Sequence, residues 1–133
     1  LAFLMPIVAS MGGNAGMQTL AVTVRTLATN DLTKNNFNQN ILKEFNIGIL
    51  NGIIFAIISS IVVQIWFQDI QLSLIISISM IITMIVAGLF GIVVPVTLKK
   101  MKIDPAIASS VFVTTITDVI GFVSFLGVAA YFL

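Results

Sequence analysis

The sequence predicts an all-α fold, a polytopic membrane helix bundle with four transmembrane helices. Three observations carry that reading. The chain of 133 residues is 59% hydrophobic and only 8% charged, where a soluble domain would be about one quarter charged. Its mean hydropathy is +1.16. The polar residues gather into short connections between apolar stretches, each long enough to cross a hydrocarbon core of about 30 Å at roughly 1.5 Å per residue.

The first helix is expected over about residues 1–28. Gly12, Gly13, Asn14 and Gly16 cluster at its centre, followed by Gln18 and Thr19. An interior glycine costs around 1 kcal/mol relative to alanine, so this cluster has two readings. It gives a close helix–helix seam through small residues, or a kinked, locally unwound segment lining a polar cavity. Asn14 and Gln18, which lipid disfavours, suit the second. Residues 29–43 form the long polar stretch, expected as a loop leading into a short interfacial segment.

The second helix is expected over about residues 44–67, with Gly48 and Gly52 at GxxxG spacing and Asn46 and Asn51 among the apolar positions. This spacing favours close packing, and Asn51 suits an interhelical hydrogen bond better than a ligand. A short turn through Asp69 makes the next helix an antiparallel neighbour, with Trp66 as an interfacial anchor. That third helix covers about residues 72–98. Ser73, Ser77 and Ser79 are tolerable in a bundle, while Gly88, Gly91 and Pro95 suggest a pliable second half.

The fourth helix, about residues 105–133, opens on Asp104-Pro105. This is an N-cap followed by a proline at the first helical position, where a missing N–H costs nothing. Asp118 lies in the middle of this span, and an acid there must face protein, water or a cation. Helical spacing sets Ser110, Thr114, Asp118 and Gly121 on one small, polar face. With no histidine or cysteine in the chain, the commonest general base and the softer metal ligands are absent. A proton relay would want a second acid or a histidine at this depth, and this reading finds neither. Two Asp118 carboxylates meeting on a two-fold axis would balance one divalent ion. Oxygen-only surroundings suit hard Mg²⁺, Ca²⁺ or Mn²⁺, and Mg²⁺ would stay largely hydrated.

All six basic residues (Arg25, Lys34, Lys43, Lys99, Lys100, Lys102) lie at the first and third turns, and the second carries Asp69. The positive-inside rule makes the basic turns cytoplasmic, with the Asp69 turn and the C-terminus outside, in the cell membrane. The chain starts inside an apolar run at Leu1, so an N-terminal part is expected to precede it.

The stretches GGNAGMQTLAVTVRTLA and DPAIASSVFVTTITDVIG, with the spacing between them, resemble the MgtE-type magnesium channels. The similarity runs the whole chain and matches the last four of that family's five membrane helices. It implies a homodimer with a pore on the two-fold axis, lined by the first and last helices. It also implies a preceding transmembrane helix and N-terminal cytoplasmic domains. Carried over, Asp118 matches the ion-binding aspartate, Thr114 a carbonyl-contributing position, and Gly13 and Asn14 the glycine-asparagine of the pore motif. Met17 and Ser110-Val111 depart from the family pattern. Gly12, Gly13, Asn14, Ser110 and Gly121 are the expected pore-lining residues, Asp118 and Thr114 the metal site. Mg²⁺ is the expected ion, with Mn²⁺ or Co²⁺ also fitting. Lipid and a second copy are the expected partners, and no nucleic acid is. Two other classes compete: a non-transporting membrane scaffold, and an intramembrane aspartyl enzyme. The enzyme needs two carboxylates sharing a proton, which Asp118 supplies only across a tight dimer.

Overall fold

The computed structural model describes residues 4–28 and 34–132, all but a few in helices. The helices are α1 (Met5–Ala28), α2 (Lys34–Phe67), α3 (Ile70–Lys100) and α4 (Pro105–Phe132). Residues 1–3 and 133, and residues 29–33, the core of the expected polar loop, lie outside the described residues.

Three helices are long and apolar enough to cross a membrane: Ile41–Phe67, Ile70–Lys100 and Ser109–Phe132. The four spans expected from sequence are therefore one more than length and composition support, because the polar centre of α1 dilutes its apolar character. The α1 helix packs alongside its neighbours all the same. Gly12 meets Thr83, Gly16 meets Ala87, and Gly91 meets Thr19, so α1 runs parallel to α3 along its second half. The opposite order of contacts, Gly48 to Ile85 and Gly52 to Ile81 for α2, Gly16 to Val113 and Gly121 to Ala9 for α4, makes the other pairings antiparallel.

The hub is α3, which packs against the other three helices. Ile75, Ile76, Met80 and Met84 are buried with Val8 of α1 and Leu4 just before it, Ala56 and Val63 of α2, and Phe125 of α4. On α4 the buried residues Ser109, Val113, Thr117, Gly121, Phe125 and Ala129 recur every four positions, the spacing of a single packing ridge. GxxxG in α2 works as the sequence predicts. A Cβ on Gly48 would lie 2.8 Å from the Ile85 Cα, and one on Gly52 would lie 2.9 Å from the Ile81 Cα. Serines add to this seam, with Ser60 and Ser77 hydroxyls 2.6 Å apart across it.

Two boundaries differ from expectation. Residues 34–43 continue α2 as helix instead of forming part of a loop, so Glu44 sits ten residues inside α2 and not at its start. Secondly, α1 is helical without interruption, and Gly12 and Gly16 serve close packing; the unwound segment is not seen. The α2–α3 turn is Gln68-Asp69, with Gln68 at φ 52°. The Asp69 carboxylate caps α3 by accepting from the backbone N–H of Gln71 at 2.9 Å. At the other end of α3, the N–H of Ile103 donates to the Leu98 carbonyl (2.9 Å) and that of Lys102 to the Lys99 carbonyl (3.0 Å). This is a Schellman closure with lysine, at φ 62°, where glycine is usual. The alternating helix directions bring Arg25, Lys99, Lys100 and Lys102 to one end of the bundle. Trp66 and Tyr131, 78% and 86% exposed, mark the other.

Candidate functional site: the α1–α4 wall

Asp118 stands at the edge of the packing ridge of α4, half-buried, next to fully buried Thr117. Its carboxylate makes no hydrogen bond or ion pair among the described residues. Which side of the ridge it lies on follows from its neighbours four and eight positions back. The Thr114 hydroxyl approaches the Met17 sulfur at 3.9 Å, and Ser110 shares a shallow cavity with Met17, Leu20 and Ala21. The Ser110–Thr114–Asp118 edge thus runs along α1. Because α1 and α4 are antiparallel, Asn14, one turn before Met17, comes level with Asp118, one turn after Thr114.

On α1 itself, Ser10, Asn14 and Gln18 are spaced by four and all exposed. They form a polar strip on the outward face, side by side with the α4 edge. Among the described residues nothing buries that strip. Sequence reading had marked Asn14 and Gln18 as polar but did not include Ser10, whose only signal is its place one turn before Asn14.

The expected pore residues divide into two groups. Gly13, Asn14, Ser110, Thr114 and Asp118 lie on or at the rim of the polar wall. Gly12 and Gly121 are buried in the packing behind it. A Cβ on Gly12 would strike Thr83, and one on Gly121 would lie 3.2 Å from the Ala9 Cα. Gly13 is different, for a Cβ there would find only the Thr117 hydroxyl, at 3.9 Å. Thr117, a residue sequence reading passed over, donates its hydroxyl to the Thr114 carbonyl at 3.0 Å and is 1% exposed. It occupies part of that carbonyl and braces the wall from behind.

Among the described residues no three acidic side chains gather into a metal cluster. One acid among neutral oxygen donors is what each chain offers here. Such a face can pair with water, an ion or a second protein surface, and lipid is the one neighbour it disfavours.

Comparison with known proteins agrees with this reading of the chain. Residues 5–128 match the profile of the MgtE family, described as a divalent cation transporter. The chain belongs to the MgtE family. It is 35% identical over 133 residues to the magnesium transporter MgtE of Bacillus subtilis (strain 168), covering all of this chain and 30% of that protein. The magnesium transporter MgtE of Enterococcus faecalis is 35% identical over the whole chain, which covers 29% of it. That of Thermus thermophilus is 32% identical over 130 residues, 97% of this chain and 28% of the relative. The chain thus spans under one third of the length of these relatives. MgtE is a transporter family and not an enzyme family, and the chain is a multi-pass membrane segment.

Proposed function

We propose that this chain forms the ion-conducting part of a magnesium transporter. Hydrated Mg²⁺ passes along the α1–α4 wall, which meets its twin across the two-fold axis of a homodimer. The carrying observation is the exposed polar strip of Ser10, Asn14 and Gln18 beside the edge of Ser110, Thr114 and Asp118. A strip of that polarity at the depth of three membrane-crossing helices is unfavourable against acyl chains. A water-filled path between two copies removes the cost.

Charge arithmetic then selects the cargo. Two Asp118 carboxylates carry two negative charges, which one divalent cation balances. Mg²⁺ gives up its water reluctantly and is held by one or two carboxylates with several waters retained. Asp118 therefore binds the ion through its hydration shell, with Thr114, Ser110, Asn14 and Gly13 facing the remaining waters. Mn²⁺ and Co²⁺ have room in the same shell. Gly12 and Gly121 set the wall's position by letting α1 sit close to α3 and α4. In this reading α1 is the fourth span, held at depth by its neighbours. The basic end faces the cytoplasm by the positive-inside rule, and the Asp69 turn and C-terminus face outward. A preceding helix and N-terminal cytoplasmic domains complete the protein.

The test is Mg²⁺ flux into proteoliposomes carrying the full-length protein. Asp118→Asn is expected to lower flux at least tenfold while the dimer persists on size-exclusion chromatography. Flux at the wild-type rate in that variant would remove Asp118 from the path. A scaffold or an enzyme would pass no Mg²⁺ in either form.

A further inference from the structure

Asp118 is not alone at depth. Glu44, ten residues inside α2, lies beside Gly88 of α3: a Cβ on Gly88 would be 3.3 Å from the Glu44 carbonyl and 3.7 Å from its Oε2. Gly88 precedes Lys99 by eleven residues and Thr19 precedes Arg25 by six, so Glu44 stands roughly 9–16 Å from the basic rim at 1.5 Å per residue. Its carboxylate accepts the Thr19 hydroxyl at 3.2 Å and makes no ion pair among the described residues. Lys43 is the adjacent residue, but it is exposed and points about 100° away around the helix, where its stem can snorkel to the rim.

The carboxylate opens into a cavity of about 60 Å³ among α1, α2 and α3, shared with Gln18, Thr19 and Asn51. A water needs about 10–15 Å³, so there is room for a small ion with a water or two. Asn51 and Gln18 spend neither amide on another described residue. Gly48 and Gly88 line the same space without side chains. One carboxylate, one hydroxyl and the side-chain amides of Gln18 and Asn51 line it, and Glu44 is the one acid among them.

We propose that this cavity binds one small monovalent cation, of sodium's size, apart from the divalent ion of the α1–α4 wall. Charge decides the class. The cavity is walled by three helices of one chain, so it supplies one negative charge, and a divalent ion would leave an uncompensated positive charge at depth. Asp118 differs because it lies on an open face where a second copy can bring its twin. Gln18 belongs both to the cavity lining and to the exposed strip of α1, so the two sites share a wall.

Equilibrium binding of ²²Na⁺ to the full-length protein in nanodiscs, free of Mg²⁺, tests this. One saturable Na⁺ per chain is expected. Glu44→Gln should weaken binding at least tenfold, and Asp118→Asn should leave it intact. Should Glu44→Gln fail to assemble, Asn51→Ala takes its place, with an expected loss of fivefold or more. Absence of saturable Na⁺ in the wild type overturns the site, as does unchanged binding in the variant that assembles. Proton uptake by Glu44 without any Na⁺ binding also overturns it. Mg²⁺ flux through Asp118→Asn is read separately, so the two proposals fail independently.

Discussion

The two outward faces of this bundle are built from opposite materials. Along α2 the exposed positions are Ile53, Ile54, Ile57, Ile58, Ile61, Val62 and Ile65, each more than two-fifths exposed. Along α1 the polar residues Ser10, Asn14 and Gln18 are exposed among Ile7, Met17, Ala21 and Val22. Both helices pack against α3, and both use glycines to do so. What separates them is the solvent each face is made for. The α2 face is at home in acyl chains, whereas the α1 face carries hydrogen-bonding groups that acyl chains cannot satisfy. A soluble protein would read the first as a hydrophobic liability and the second as ordinary surface. In a membrane the reading inverts, and the polar face is the one that needs a partner.

The widest gap within α1 itself is between Gly16 and Gly13. A Cβ on Gly16 would sit 2.8 Å from Val113 Cγ1 and 3.3 Å from Thr117 Cγ2, so leucine there has to push α4 away. Overpacking of this kind costs about 1–3 kcal/mol or more, and Gly16→Leu is expected to prevent assembly or lower the melting temperature in detergent markedly. Gly13→Leu has open space before it and is expected to assemble normally, yet to obstruct Mg²⁺ flux by bulk. Wild-type flux in an assembled Gly13→Leu protein would place α1 away from the path.

A smaller effect comes from exchanging the two materials. Asn14→Leu removes an amide from the wall and is expected to reduce flux severalfold with little change in melting temperature. Ile57→Asn, on the exposed α2 face, is expected to do the reverse, lowering stability by about 1–2 kcal/mol with flux per folded dimer preserved. If both substitutions behave alike, the two faces see the same surroundings and the contrast drawn between them fails.

Much of this arrangement is legible in the chain. Apolar stretches place the helices to within a few residues at most ends, because lipid-length hydrophobic runs are a strong signal. Gly48 and Gly52 announce their seam by spacing alone. Asp118 stands out because it has no ionised neighbour within its stretch. Glu44 is the instructive miss. It follows a polar, asparagine-rich run, and such a run reads as loop, which sets Glu44 at a helix start near the membrane surface. In the fold those residues are helical from Lys34, and the register of α2 on α3 carries Glu44 down beside Gly88. Depth is a property of the packed pair, and no single helix states it. The cavity with Gln18 and Asn51 joins three helices and has no linear signature. Nor does the split between Gly12 and Gly13, adjacent residues facing different neighbours, follow from composition. The choice between a seam and an unwound segment in α1 was open for the same reason.

The least of the expected effects concerns the two ends of α3, where the polar face and the apolar face are tied together. Each end turns through a left-handed residue that is not glycine, Gln68 at φ 52° and Lys102 at φ 62°. For a residue with a Cβ this conformation costs roughly 1–2 kcal/mol, and glycine removes it. Lys102 is held by a complete Schellman pair of hydrogen bonds, so its conformation is fixed in the folded state and glycine cannot relax into a better one. Lys102→Gly should therefore stabilise the protein, but glycine's added freedom in the unfolded chain offsets part of the gain, leaving about half a kcal/mol. Lys102→Asn separates strain from charge, because asparagine tolerates the left-handed region while also removing the ammonium. Equal gains in both variants, read as melting temperature in detergent, are expected if backbone strain is the cause. A loss in both would mean that the basic end draws its stability from the lysine charge and not from the geometry of the turn.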